Sequence, residues 1–309
     1  MSSANRLDNQ IFATEKNGIV RKRRGIKNTI VRRLALTRAA QLYTRSRHPG
    51  LFDDVARFCI FIGHGRSGST LVGALLNAHP NIVLSNELDI LGYLGDRLTR
   101  YQLFNLIFYQ ARRQARKGSK GGGGYIYAVP GQWQGKHQTI TVIGDRKSGA
   151  TALHLFRQPD LIWKLKDVVN VPLRFISVVR NPFDTITTTV RKTTRLPTED
   201  EDAHLRREIK CYFDRVSAIT RVGSEFGPDA VKFVYHEELI ADTRTVLTKL
   251  CNFLSVTVDE TYLADCASIV LPIPSTTRNH INWTPENIEI VRQGIDRIPW
   301  LNHYTFGDD

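Results

Sequence analysis

Gly63, Gly65 and Gly68, interleaved with His64, Arg66, Ser67, Ser69 and Thr70, are residue types that can wrap an oxyanion. Glycines let the backbone turn its amides inward, hydroxyls add donors, and the arginine supplies charge. The run sits between Phe58–Ile62, apolar enough for a strand buried on both faces, and the apolar series Thr70-Leu71-Val72, Ala74-Leu75-Leu76, which reads as a helix. Strand, glycine loop and helix together aim N–H groups and the positive end of a helix dipole at one point. Downstream stand further candidates for chemistry. Glu87 and Asp89 follow a second strand, Asp145-Arg146-Lys147 a third, and Arg180 ends a fourth with Thr188 eight residues on.

The spacing from Gly63 to Thr70 is that of G-x-x-x-x-G-K-[ST], with Ser69 where the phosphate-reaching lysine would stand. The loop therefore suits a phosphate better than a triphosphate with magnesium, and its cation is Arg66. Amides of Gly65, Arg66, Ser67, Gly68, Ser69 and Thr70 can ring one anion. An arginine fork at a strand end and a hydroxyl about 2.2 helical turns later point to one place. Arg180 is therefore a candidate to hold a second anion, with Thr188 aimed toward it.

These functional groups need a frame of alternating strands and helices. Strands are expected at Phe58–Ile62, Asn81–Ser85, Thr139–Gly144, Arg174–Val179 and Val231–Tyr235. Helices are expected from Thr70, over 88–116, near Thr151–Arg157, after Pro182, and over His204–Phe226, Thr243–Leu254 and Thr284–Ile298. The pattern predicts an α/β fold, a doubly wound, mostly parallel sheet flanked by helices, with ligands at the C-terminal strand ends. Residues 117–124 are glycine-rich and read as a loop. Residues 125–138, with Tyr125, Tyr127 and Trp133, read as a lid.

Composition narrows the class. Hydrophobic residues make up 41% and charged residues 24% of the 309, as in soluble globular proteins. No apolar run nears the roughly 18 residues of a membrane span, so a soluble, cytoplasmic protein is expected. Cys59, Cys211, Cys251 and Cys266 lack metal or disulfide spacing and read as buried thiols. The net charge is +13, and residues 1–50 carry 12 Lys and Arg against 2 Asp and Glu. Those residues read as a basic, partly helical extension to a domain over 51–309. The extension suits an anionic membrane or a partner protein; nucleic acid is not expected.

Taken together, the chain resembles sulfotransferases that use 3′-phosphoadenosine 5′-phosphosulfate (PAPS). Gly65-Arg66-Ser67-Gly68-Ser69-Thr70 is similar to the family's 5′-phosphosulfate loop, and Val178-Val179-Arg180-Asn181-Pro182-Phe183-Asp184 with Thr188 to its 3′-phosphate motif. His79-Pro80 followed by a strand and Glu87 resembles the tyrosylprotein-like branch, as does Arg66 where cytosolic phenol sulfotransferases carry lysine. Val234-Tyr235-His236-Glu237-Glu238-Leu239 is similar to a later strand, and Ser275-Thr276-Thr277-Arg278 with Trp283 to a segment closing over the donor. The resemblance implies a P-loop-like fold over about residues 57–305, with sulfuryl transfer from PAPS to a hydroxyl or amine and no metal. It implies Arg66 and Lys147 (with Arg146 a rival) as catalytic cations and Ser275 and Arg278 as donor contacts. Glu87 is the candidate base, with Asp89 able to exchange roles. The acceptor stays open among carbohydrate, phenol, peptide and lipid headgroup. The alternatives are a P-loop kinase or NTPase-like enzyme, and a non-enzymatic anion-binding module working through the basic N-terminus.

Overall fold

A computed structural model describes residues 50–96, 98–118 and 125–307. The chain divides into units at 1–50 and 51–309, and the expected basic helix lies outside the described residues.

Five short strands form one sheet: β1 (Arg57–Phe61), β2 (Ile82–Asn86), β3 (Val142–Arg146), β4 (Leu173–Val179) and β5 (Val231–Tyr235). Their order is β2-β3-β1-β4-β5, and every pairing is parallel. Phe58 to Phe61 are fully buried, as a central strand covered on both faces requires. Gly144 in β3 is forced by this packing. A Cβ there would lie 1.8 Å from the Cys59 carbonyl oxygen of β1.

Helices α1 (Ser69–Asn77), α2 (Arg100–Arg116), α3 (Ser148–Arg157), α4 (Leu161–Val169) and α5 (Pro182–Val190) connect the strands with α6 (Glu201–Phe226). After β5 come α7 (His236–Ala241), α8 (Thr243–Phe253), α9 (Glu260–Ser268) and α10 (Pro285–Asp296). Leu71, Val72, Leu75 and Leu76 of α1 share one core with Leu247 and Leu250 of α8 and Tyr262 of α9. Phe183 and Ile186 of α5, Leu205, Ile209 and Tyr212 of α6 and Val291 of α10 build a second.

The predicted α/β architecture is the one observed. Several boundaries move for local reasons. The helix expected over 88–116 is broken: Ile90–Asp96 is a 3-10 turn, and α2 starts afresh behind a Thr99–Gln102 capping box. β3 runs two residues further than expected, because Asp145 and Arg146 stay in register with Ser85 and Asn86. α6 starts at Glu201, where the Asp200 carboxylate accepts the Ala203 N–H at 2.7 Å.

Residues 125–138 do not form the expected lid. Trp133 and Gly135 donate their backbone N–H groups to the Ala78 and Asn77 carbonyls, at 3.1 and 2.8 Å. Both acceptors lie at the C-terminal end of α1, a nine-residue helix away from the glycine loop, or about 13 Å at 1.5 Å per residue. Tyr127 packs on the α1–α8–α9 core, and the Tyr125 hydroxyl donates to the Ile269 carbonyl.

Candidate active site

Parallel pairing brings all five strand C-termini to one edge. β1 is the point where the connections reverse: the chain leaves it toward β2 and later crosses to β4 on its other side. Such a switch point opens a crevice at the strand ends. The glycine loop stands there, anchored by Ile62 N–H to the Ile176 carbonyl (3.0 Å) and Gly63 N–H to the Ser148 carbonyl (3.2 Å).

Inside the loop, Arg66 has φ 69° and Gly68 φ 90°. Left-handed residues alternating with ordinary ones turn successive amides to one side, making an anion-binding nest. Gly68 is the N-cap of α1 and offers no side-chain cap, so the first-turn amides stay open to a ligand. A side chain at Gly68 is excluded twice, by the positive φ and because its Cβ would lie 2.3 Å from His236 Cδ2. Ser67 Oγ braces the loop by donating to the His64 carbonyl at 3.0 Å. His64 itself is structural. It stacks on Tyr212 at 3.8 Å, its Nε2 lies 3.0 Å from the Tyr212 carbonyl, and burial lowers its pKa to about 3. Ser69 is buried, while Thr70 is partly open.

The candidate second anion site is built from β4. Asn181 caps α5 through its side chain and Pro182 opens the helix, which leaves Arg180 at the strand's end. Arg180 Nη1 donates to the Arg66 carbonyl at 3.2 Å, tying this site to the loop. Nη2 reaches the Ser275 carbonyl and, at 3.3 Å, Thr277 Oγ1. Thr277 Oγ1 in turn lies 3.0 Å from Thr188 Oγ1. Arg180 and Thr188 are thus brought together as expected from their spacing, but through Thr277, a residue not singled out from the sequence. Its only sequence signal was a hydroxyl inside the Ser275–Arg278 segment. Burial lowers the pKa of Arg180, with Asp184 and Glu237 opposing that shift.

Arg278 takes a different position from the one expected. It is 5% exposed, and its guanidinium pairs with the Asp184 carboxylate at 2.9 Å while donating to the Thr305 and Phe306 carbonyls. Asp184 Oδ1 also accepts the N–H groups of Thr277 and Arg278. Arg278 therefore fastens the 275–278 segment to α5, and its charge is already matched. Ser275 presents its carbonyl to Arg180 and keeps an exposed side chain. Replacing Arg278 by Met would strand a buried carboxylate, a loss of about 3–5 kcal/mol. Calorimetry should show Tm falling by several degrees, and an unchanged Tm would rule out this fastening role.

The third wall comes from β2 and β3. Glu87 Oε1 lies 2.7 Å from Arg146 Nη1, and its Oε2 pairs with Lys147 Nζ. Burial pushes the Glu87 pKa up, but the two cations outweigh it and hold the carboxyl below the usual glutamate range. Asp89 pairs instead with His154, at 3.2 Å. Glu87 and Asp89 have φ of 64° and 67°, a strained conformation for residues with side chains. Asp145 explains how it persists. Fully buried, it accepts the N–H groups of Leu88, Asp89 and Ile90 at 3.0–3.3 Å and the Ser85 hydroxyl at 2.7 Å. Burial raises its own pKa to about 6. Like Thr277, Asp145 is a positioning residue the sequence offered only as one more strand-end charge.

The polar surroundings of the loop fit a phosphorylated nucleotide. Ser148 Oγ, Ser177 Oγ and His236 Nδ1 are buried without a hydrogen-bond partner. The first two flank Gly63 and the third packs on Gly68.

Similarity to a known family is found over part of the chain. The Sulfotransferase family profile matches residues 173–260, which span β4, Arg180, Thr188, β5 and His236. No curated protein matches the chain. Solved structures similar to it include sulfotransferase STF9 from Mycobacterium avium, at 13% identity, covering 90% of this chain and 85% of that one with a TM-score of 0.49. The sulfotransferase domain of the Synechococcus PCC 7002 olefin synthase is 18% identical, covering 76% and 83%, with a TM-score of 0.44. Mouse sulfotransferase SULT7A1, solved in complex with PAP, is 17% identical, covering 79% and 84%, with a TM-score of 0.44. Residues 173–260, the segment that carries the strand-end arginine, are thus the part of the chain that matches the sulfotransferase family.

Proposed function

We propose that this chain transfers the sulfuryl group of PAPS, in line, to a hydroxyl or amine. One observation supports the reading: two donor clusters, the Gly65–Thr70 nest and the Arg180–Thr277–Thr188 group, are joined by the Arg180–Arg66 hydrogen bond. A donor with phosphates on both sides of its ribose needs such a pair of sites, whereas ATP needs only one.

The residues divide the work by position. The loop amides and the hydroxyls of Ser69 and Thr70 hold the 5′-phosphosulfate. Arg180, Thr188 and Thr277 hold the 3′-phosphate. Arg66, whose side chain is exposed beside the nest, neutralises charge growing on the bridging oxygen. Glu87 takes the acceptor proton. Lys147 is the mobile partner in that step, since it is 30% exposed where Arg146 is 7%. Moving Lys147 from Glu87 to the leaving phosphate would return basicity to Glu87 as the proton departs.

The test is calorimetric titration of the full chain with adenosine 3′,5′-bisphosphate (PAP) and with AMP, without magnesium. PAP should bind at least about tenfold tighter, as one charge-assisted contact to the extra phosphate is worth roughly 1.5–3 kcal/mol. Equal affinities would overturn the two-site reading.

A further inference from the structure

A cavity of about 200 Å³ opens beside the glycine loop, between it, α5 and α6. That is the share of liquid volume of about seven waters at roughly 30 Å³ each, enough for one ring-sized group. Gly65 and Arg66 form one wall, Thr189 and Lys192 a second, and Glu208 and Arg215 a third.

Its electrostatics are one-sided. Arg66 and Lys192 are exposed, and among the described residues neither side chain makes a hydrogen bond or ion pair. Arg215 uses Nε on the Gly149 carbonyl and Nη1 on the Cys211 carbonyl, which leaves Nη2 unused. The one carboxylate, Glu208, is already engaged. It accepts from Arg207 at 2.5 Å and lies 3.8 Å from His204. The remaining polar neighbours carry no charge: His64 is kept neutral by burial, and Thr189 Oγ1 is bonded to the Thr185 carbonyl. The cavity therefore holds three cations with no free anion opposite them.

We infer that the acceptor is itself an anion, carrying a carboxylate or comparable acidic group beside the nucleophile, with Lys192 and Arg215 receiving that group. This inference rests on the sulfotransferase reading above. Arg66 is committed to the donor, so Lys192 and Arg215 are the cations left for a second ligand. Loop and cavity share Gly65 and Arg66, so a molecule seated there lies against the loop assigned to the donor. Lys192 follows directly on α5, the helix that carries Thr188, which fixes acceptor and donor sites to the same element.

The experiment uses two probe pairs that differ in charge, D-glucuronate with D-glucose and 4-hydroxybenzoate with 4-hydroxybenzamide. Each is titrated calorimetrically into the full chain, with and without saturating PAP. The anionic member of at least one pair should bind about tenfold or more tightly than its neutral partner. That preference should shrink as salt is raised. Lys192 is exposed, so Lys192→Glu should keep the fold and bring the ratio to about one or below, with PAP affinity unchanged. Lys192→Gln combined with Arg215→Gln should do the same. No preference in either pair, including no binding by any probe, overturns the inference, as does a preference that survives Lys192→Glu. Failure of the donor reading shows separately, as absence of PAP binding, and the titrations of the free chain still decide the acceptor question.

Discussion

Arg180→Ala should raise the KM for PAPS by about 10²–10³ and leave kcat within a few-fold. Arg180 ends β4 with its guanidinium turned toward both the loop and the Ser275–Thr277 segment. Its planar fork can hold a phosphate through two charge-assisted hydrogen bonds, each worth roughly 1.5–3 kcal/mol. The fork already donates to Arg66, Ser275 and Thr277, so each bond falls near the low end of that range, and losing both would cost about 3–4 kcal/mol in donor binding, or two to three orders of magnitude. The 3′-phosphate takes no part in bond breaking, so the effect falls on KM. Arg180→Lys keeps the charge but loses the fork and should fall between wild type and alanine. A second readout separates binding from structural damage: wild type should prefer PAP over AMP, and the alanine variant should treat them nearly alike. An unchanged KM would remove Arg180 from the donor site.

Arg180 also shows how far residue patterns reach. Its strand, its place at the strand end and its eight-residue spacing from Thr188 are local properties, written in hydrophobic runs and helical periodicity. The glycine loop is legible for the same reason, because its chemistry lies within eight consecutive positions. Thr277 and Asp145 are not legible in this way. Thr277 joins the cluster 89 residues from Thr188, and Asp145 acts on N–H groups 55–57 residues away. Both partnerships depend on strand order. Arg278 misled for a related reason: a basic residue in the right segment looks like a phosphate ligand until a buried carboxylate, Asp184, is found against it. The aromatic 125–138 segment misled because composition reports stickiness but not which end of α1 the segment is tied to.

Glu87→Gln should lower kcat by about 10²–10³, within the range of a positioned general base, and leave the donor KM nearly unchanged. The sharper expectation concerns pH. Two cations hold the Glu87 pKa below its ordinary value of 4.5, against the upward push of burial. A base acts in its ionised form, so activity should be lost only as pH falls through that lowered pKa. The wild-type kcat/KM should therefore show no acid limb between pH 5 and 7 from this group. Removing one cation reverses the balance. In Lys147→Gln, burial and Arg146 alone set the Glu87 pKa, and the acid limb should move upward, toward or past the ordinary glutamate value. On the proposed mechanism Lys147 also serves the leaving group, so the height of the profile should fall as well; the position of the limb, not its height, reports on Glu87. A limb that stays in place in Lys147→Gln, or a Glu87→Gln variant of normal kcat, would hand the base role to Asp89, whose carboxylate faces His154 across the same rim.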